Sequence, residues 1–155
     1  GGNTGVGSPC YGGRKAVGRA CPAADHMEGR TMDCYCDYEP CDFYSASRPV
    51  ARKVHRCEEC GSPVLPGEQY ERAFSVTYGH ADTFKTCVRC VDLRTWVKNN
   101  VPCLCWAHGN LNEDLREAVN EARWRAPEET AGLWFGFMRR VVARRKHNEL
   151  YRRTA

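Results

Sequence analysis

The 155-residue chain has no apolar run near the roughly 20 residues that a membrane-spanning helix requires. No basic segment leading into an apolar one opens it, so no secretory signal is expected, although a chain that begins Gly-Gly can have shed one. The continuous Val/Ile/Leu runs of buried parallel strands are missing, which argues against a thioredoxin-like α/β fold around a redox CxxC. Aliphatic residues are sparse enough that the fold needs support beyond apolar burial.

Cysteine is what the chain has instead. There are 11, an odd number, eight of them grouped as two CxxC and two CxC pairs. This suits metal sites in a reducing compartment better than a fully paired disulfide frame, and the expected location is cytoplasmic. The formal charge of +4 is a poor guide to partners. Four thiolates on one divalent cation lower it to about +2, and a second such site brings it near zero. Only the distribution of charge is informative.

Residues 1–31 are rich in Gly and Ala and lack periodicity, so they are expected to be a disordered tail or a non-native extension. Met32 is a sensible start for the folded chain, and Cys10 and Cys21 are poor ligand candidates. Residues 32–109 are expected to form a zinc-binding domain, with 110–155 a helical segment packed on it or extending from it.

From Glu68 the pattern turns to strand: Tyr70, Arg72, Phe74, Val76 and Tyr78 alternate with Glu71, Ala73, Ser75 and Thr77. The run YGHAD offers a turn and TFK a short return strand. In TCVRCVDLRTWVKNN, Thr86 is a candidate cap, and Cys90, Leu93 and Val97 share a helical face. A second helix is expected over 111–125, capped by Asn110 or Asn112, with Leu111, Leu115, Val119 and Ala122 on one side. A third should begin after Pro127, with Glu128 and Glu129 complementing its dipole.

Cys57, Cys60, Cys87 and Cys90 form a CxxC…CxxC array. Tetrahedral zinc takes four thiolates at about 2.3 Å, and each CxxC brings two sulfurs to one point. Gly61 relieves the backbone after the first pair, while the second pair falls in the first turn of a helix, where free N–H groups favour thiolate. Knuckle, β-hairpin, then helix carrying the last two ligands is the treble-clef order. The expected fold class is therefore α+β: a small treble-clef zinc finger with two additional C-terminal helices. The pairs Cys34/Cys36 and Cys103/Cys105 suggest a second site of four cysteines, with Cys41 and His108 as substitute ligands; the alternative is that they fill core. His55 and His80 are expected to be surface or packing residues.

The run HRCEECGSPVLPGEQYER with TFKTCVRC is similar in outline to treble-clef fingers, including the poly(ADP-ribose) polymerase type. That type closes with His and Cys where this chain has Cys87 and Cys90, so its recognition of DNA nicks does not carry over. From Met32 through CLCWAHGNLNEDLREA and RWRAPEETAGLWFGFMRRVV, the chain resembles uncharacterised zinc-binding proteins of tailed bacteriophages and prophages. The resemblance implies a phage accessory protein in a bacterial cytoplasm, and no activity.

Three functions are compatible with these residues. A nucleic-acid-binding module would use Arg139, Arg140, Arg144, Arg145 and Lys146, which have only Glu149 as a nearby acid in sequence. The competing account is an amphipathic helix with solvated arginines, Arg140 and Arg144 on one face and Leu133, Phe137 and Val141 on another. By the same reasoning Trp134 and Phe135 are expected in the core. A protein-interaction module would present GLWFGFM to a host protein. The third, an HNH-like metal-dependent nuclease, would have only His80, His108 and Asn110 to offer, without the motif's usual start. The expectation is a non-enzymatic structural-zinc module that binds nucleic acid or a host protein, with neither membrane nor small-molecule partners.

Overall fold

The alternating segment becomes the central strand of an antiparallel sheet in the computed structural model, which describes residues 41–101 and 104–154. Strands β1 (Phe43–Ser47), β4 (Tyr70–Thr77) and β5 (His80–Cys87) lie in the order β1-β4-β5, while β2 (His55–Arg56) and β3 (Pro63–Val64) form a separate ribbon. The described helices are α1 (Val88–Asn100), α2 (Leu111–Arg125) and α3 (Leu133–Thr154). The chain is thus mixed α/β, with small antiparallel sheets preceding the helices. No helix among the described residues is long and apolar enough to cross a membrane. The expectations for residues 1–31 and for Met32 fall outside the described residues.

Tyr78 and Gly79, with φ of 50° and 76°, make the two-residue loop between β4 and β5. Positive φ at both central positions matches the twist of the flanking strands, so pairing resumes at once with Thr77 opposite His80. The return strand is therefore eight residues long and not the short TFK segment. His80 stands in it and not in the turn. Strand β1 has no counterpart in the sequence reading, being short, largely exposed and followed by Pro49.

The two sheet faces divide unexpectedly by size. Glu71, Ala73 and Ser75 are buried, whereas Arg72 is exposed and Phe74 and Val76 are half-buried. The reason is what covers the buried face. Arg94 of α1 forks onto Glu71 at 2.6 and 2.9 Å and lies over the Trp106 ring. His108 stacks between Phe84 and Tyr44, at centroid distances of 4.2 and 6.3 Å, with Trp106 edge-on to it. Small residues on β4 leave room for these rings.

Helix α1 begins one residue later than a Thr86 cap would put it. Thr86 pairs with Glu71 in the sheet, and Cys87 is the cap, without a side-chain cap bond. Cys90, Leu93 and Val97 are buried as their spacing requires. Helix α2 keeps the expected bounds and buries Leu111, Leu115, Val119 and Ala122. Helix α3 starts at Leu133, beyond Pro127, Glu128 and Glu129, which stand in turns. The Thr130 hydroxyl donates to Ala126 O at 2.6 Å, folding this segment back on the end of α2.

Leu133, Phe137 and Val141 of α3 join Leu93, Val97, Leu115 and Val119 in one buried cluster that also contains Cys57, Cys87 and Cys90. Trp134 is half-buried, but Phe135 is 77 % exposed, contrary to its expected place in the core.

Candidate metal centre

The first cysteine pair lies in the turn of the β2–β3 ribbon. The Gly61 N–H donates to Cys57 O and the Cys57 N–H to Ser62 O, both at 2.9 Å. Gly61 sits at φ 68°, a left-handed conformation that costs glycine little. The second pair lies where β5 becomes α1. All four sulfurs come within 4.8 Å of one another. The Cys57–Cys90 and Cys60–Cys87 separations are 3.9 and 3.8 Å.

These spacings fit a tetrahedral ion. Sulfurs at about 2.3 Å from a central zinc stand about 3.8 Å apart along the tetrahedron's edge. They are also far too long for disulfides, and all four are free thiols. Cys57, Cys87 and Cys90 are buried and Cys60 is half-buried. The Cys87 N–H approaches Cys57 Sγ at 3.3 Å and Arg144 Nη1 approaches Cys90 Sγ at 3.4 Å. Such donors stabilise thiolate and orient it, as the outer partners of metal ligands do. Four cysteines are thus arranged to hold a metal ion.

Thiols this close oppose each other's ionisation. Cys60 falls well below the ordinary thiol range, held by hydrogen bonds from Cys57 and then from Cys87 and Cys90. Cys90 is pushed well above it, by Cys57 first and then by Cys60, Cys87 and burial. A divalent cation removes this conflict by neutralising the charge of several thiolates at once.

The cluster is tied to the C-terminal helices through Glu59, inside the first CxxC. Its buried carboxylate accepts from Gly109 N at 3.1 Å and Leu111 N at 3.2 Å, satisfying free donors at the start of α2. Asn110 is the backbone cap but makes no side-chain cap bond. Asn112 donates to Glu59 O at 2.7 Å and accepts from Arg144 Nη2. The sequence reading does not place Glu59, Asn112 or Arg144 in the metal centre: it makes Asn112 a candidate cap and Arg144 a candidate nucleic-acid contact.

Arg144 therefore does not belong to a free cationic surface. It is buried because it continues the Leu133–Phe137–Val141 row, three residues after Val141. Arg140 is also turned inward, its guanidinium 4.2 Å over the Trp96 ring. Of the five expected nucleic-acid contacts, Arg139, Arg145 and Lys146 are exposed.

Three members of the expected second site, Cys34, Cys36 and Cys103, lie outside the described residues. Cys105 and Cys41, one of the two substitute ligands, are described, and both are disulfide-bonded. His108 joins no metal-ligating group among the described residues; its side chain is fully enclosed, with Nδ1 3.5 Å from Glu59. His80 is exposed and His55 rests against Tyr70 at 5.1 Å. His55 is held below its ordinary value by burial and then by Lys85 and Lys53.

No family model, curated protein or solved structure matches the chain.

Proposed function

We propose that the chain is a structural zinc-binding module that acts by recognition of nucleic acid or a host protein, without catalysis. The observation that carries this is the Cys57, Cys60, Cys87 and Cys90 cluster. Four sulfur ligands at tetrahedral spacing fill the coordination sphere, whereas a catalytic zinc keeps a position for water or substrate. When bound, the metal cross-links the β2–β3 turn to the start of α1, a contribution on the order of 10 kcal/mol in small zinc modules.

The order of ribbon, hairpin and helix supports a treble-clef reading, with α2 and α3 as additions. The resemblance carried by CLCWAHGNLNEDLREA supports a phage accessory role in a bacterial cytoplasm. An HNH-like nuclease would need a histidine open to a phosphate or water. His108 is instead enclosed by Tyr44, Phe84 and Trp106, and His80, though exposed, joins no group of potential metal ligands among the described residues, which favours the non-enzymatic reading.

The test is elemental analysis with native mass spectrometry on reduced protein purified without chelator. One zinc per chain is expected from the CxxC pairs. A second would be assigned to Cys34, Cys36, Cys103 and Cys105, once Cys105 is reduced. A folded chain that holds no zinc overturns the proposal.

A further inference from the structure

The open face of the three-stranded sheet carries Phe43, Ser45 and Ser47 of β1, Arg72, Phe74 and Val76 of β4, and Ala81, Thr83 and Lys85 of β5. No acid stands among them. The acids of β4 and β5, Glu71 and Asp82, project from the opposite face by strand alternation.

Arg72 and Lys85 are direct cross-strand partners. Like charges so placed destabilise a sheet, and neither has an ion-pair partner among the described residues. A fold that keeps this arrangement gains from a polyanion that neutralises it.

Aromatic residues stand beside the cations. Phe43 is 53 % exposed and meets Phe74 edge-on at 6.1 Å. The neighbours Ser45, Thr83 and Ala81 are small, so the rings are not overhung. Phe74 and Arg72 are two positions apart on β4, about 6.8 Å at strand rise. A base stacked on the rings would thus have its phosphate within reach of an arginine.

We propose that this face binds single-stranded nucleic acid, with Phe43 and Phe74 as a stacking platform and Arg72 and Lys85 contacting phosphates. It rests on the zinc-module reading and moves the nucleic-acid contact from α3 to the sheet. Stacking on an exposed ring requires an unpaired base, which is why a single strand fits better than a duplex.

The test is fluorescence anisotropy of a labelled oligothymidylate titrated with the zinc-loaded full chain over a salt series. Competitors are a duplex of equal length and poly-glutamate. Arg72→Gln with Lys85→Gln should weaken binding at least about 10-fold at low salt and flatten the log–log salt slope by about 1.4, two single-strand phosphate contacts. Phe43→Ser should weaken it by about 5- to 100-fold while leaving the salt slope unchanged. A variant with Arg139, Arg145 and Lys146 changed to Gln should bind as the parent does. No binding by the loaded chain, equal or tighter binding of the duplex or poly-glutamate, or loss only in the α3 variant would each overturn the proposal. Zinc content and thermal unfolding, read on the same samples, separate the failures. A folded chain without metal overturns the zinc module; a loaded, folded chain that ignores the oligonucleotide overturns this surface alone.

Discussion

Arg144 of α3 places one guanidinium nitrogen 3.4 Å from Cys90 Sγ and gives another to Asn112 Oδ1 on α2. One planar side chain thus joins the cysteine cluster to both C-terminal helices. Asn112 extends the connection to the backbone of Glu59, between the first two cysteines. The cluster and the helices should therefore stabilise each other, and loss of metal should be felt in α2 and α3.

Arg144→Met keeps the apolar stem and removes the fork. It is expected to weaken zinc binding about 10-fold, the lower end for outer partners of metal ligands. It should also destabilise the loaded protein by about 2 kcal/mol, the scale of a hydrogen bond to a charged group. Arg144→Lys should recover only part of either loss, because an ammonium cannot span both acceptors. Competition with a chromogenic chelator and urea unfolding measure the two effects. Wild-type affinity in Arg144→Met would remove Arg144 from the centre.

Cys87→Ser should abolish stable folding under reducing conditions. A metal contribution on the order of 10 kcal/mol is comparable to the 5–15 kcal/mol or so of net stability that natural domains possess. Chelation should have the same effect and added zinc should reverse it. Protons compete with metal for thiolates, so zinc should be released as pH falls and retained as it rises. Circular dichroism followed with chelator and with pH reads both. A Cys87→Ser chain that stays folded with its zinc would sink the structural role.

How much of this was legible from sequence differs by residue for physical reasons. Cys57, Cys60, Cys87 and Cys90 were readable because metal geometry fixes local spacing. The buried faces of α1 and α2 were readable because helical period fixes which residues align. Glu59 was not, because its acceptor role depends on the start of α2, some 50 residues later, arriving beside it. Arg144 looked like a surface cation because its charge outweighed its register. The row Leu133, Phe137, Val141, Arg144 was the available signal. Strand β1 was hidden because an edge strand packed on one side need not alternate strongly. The start of α3 was misjudged because Pro and Glu suit a helix N-terminus, while Thr130 bonds back to α2 instead.

The end of α3 is fastened by a pair with its own pH window. Tyr151 donates to Glu68 at 2.6 Å. Burial alone would raise Glu68, but Tyr151, the Leu65 N–H and Arg89 outweigh it and hold it below its ordinary 4.5. Tyr151 is raised above 10.0, chiefly by that same hydrogen bond. The Glu68 contribution is therefore complete above its unfolded value and lost as pH falls through the folded one. The Tyr151 contribution is complete below 10.0 and lost as pH rises through its folded value. Tyr151→Phe should move the Glu68 midpoint up, as followed by the carboxyl carbon signal in an NMR titration. An unchanged midpoint would break the pair.

Gly136 tests the seam between α1 and α3 through the sign of an effect. In an exposed helix interior, Gly→Ala is expected to stabilise by about 1 kcal/mol through propensity alone. A Cβ at position 136, however, would stand 2.9 Å from Cζ2 and Cη2 of Trp96. Arg140 lies 4.2 Å over the same ring while donating to Gly136 O at 3.0 Å, so relief requires moving α3 or displacing the cation. Overpacking of this kind costs about 1–3 kcal/mol, enough to exceed the propensity gain. Gly136→Ala should therefore lower the midpoint of thermal unfolding, and Gly136→Ala with Trp96→Leu should recover much of the loss. A more stable Gly136→Ala protein would mean that the α1–α3 seam yields without resistance.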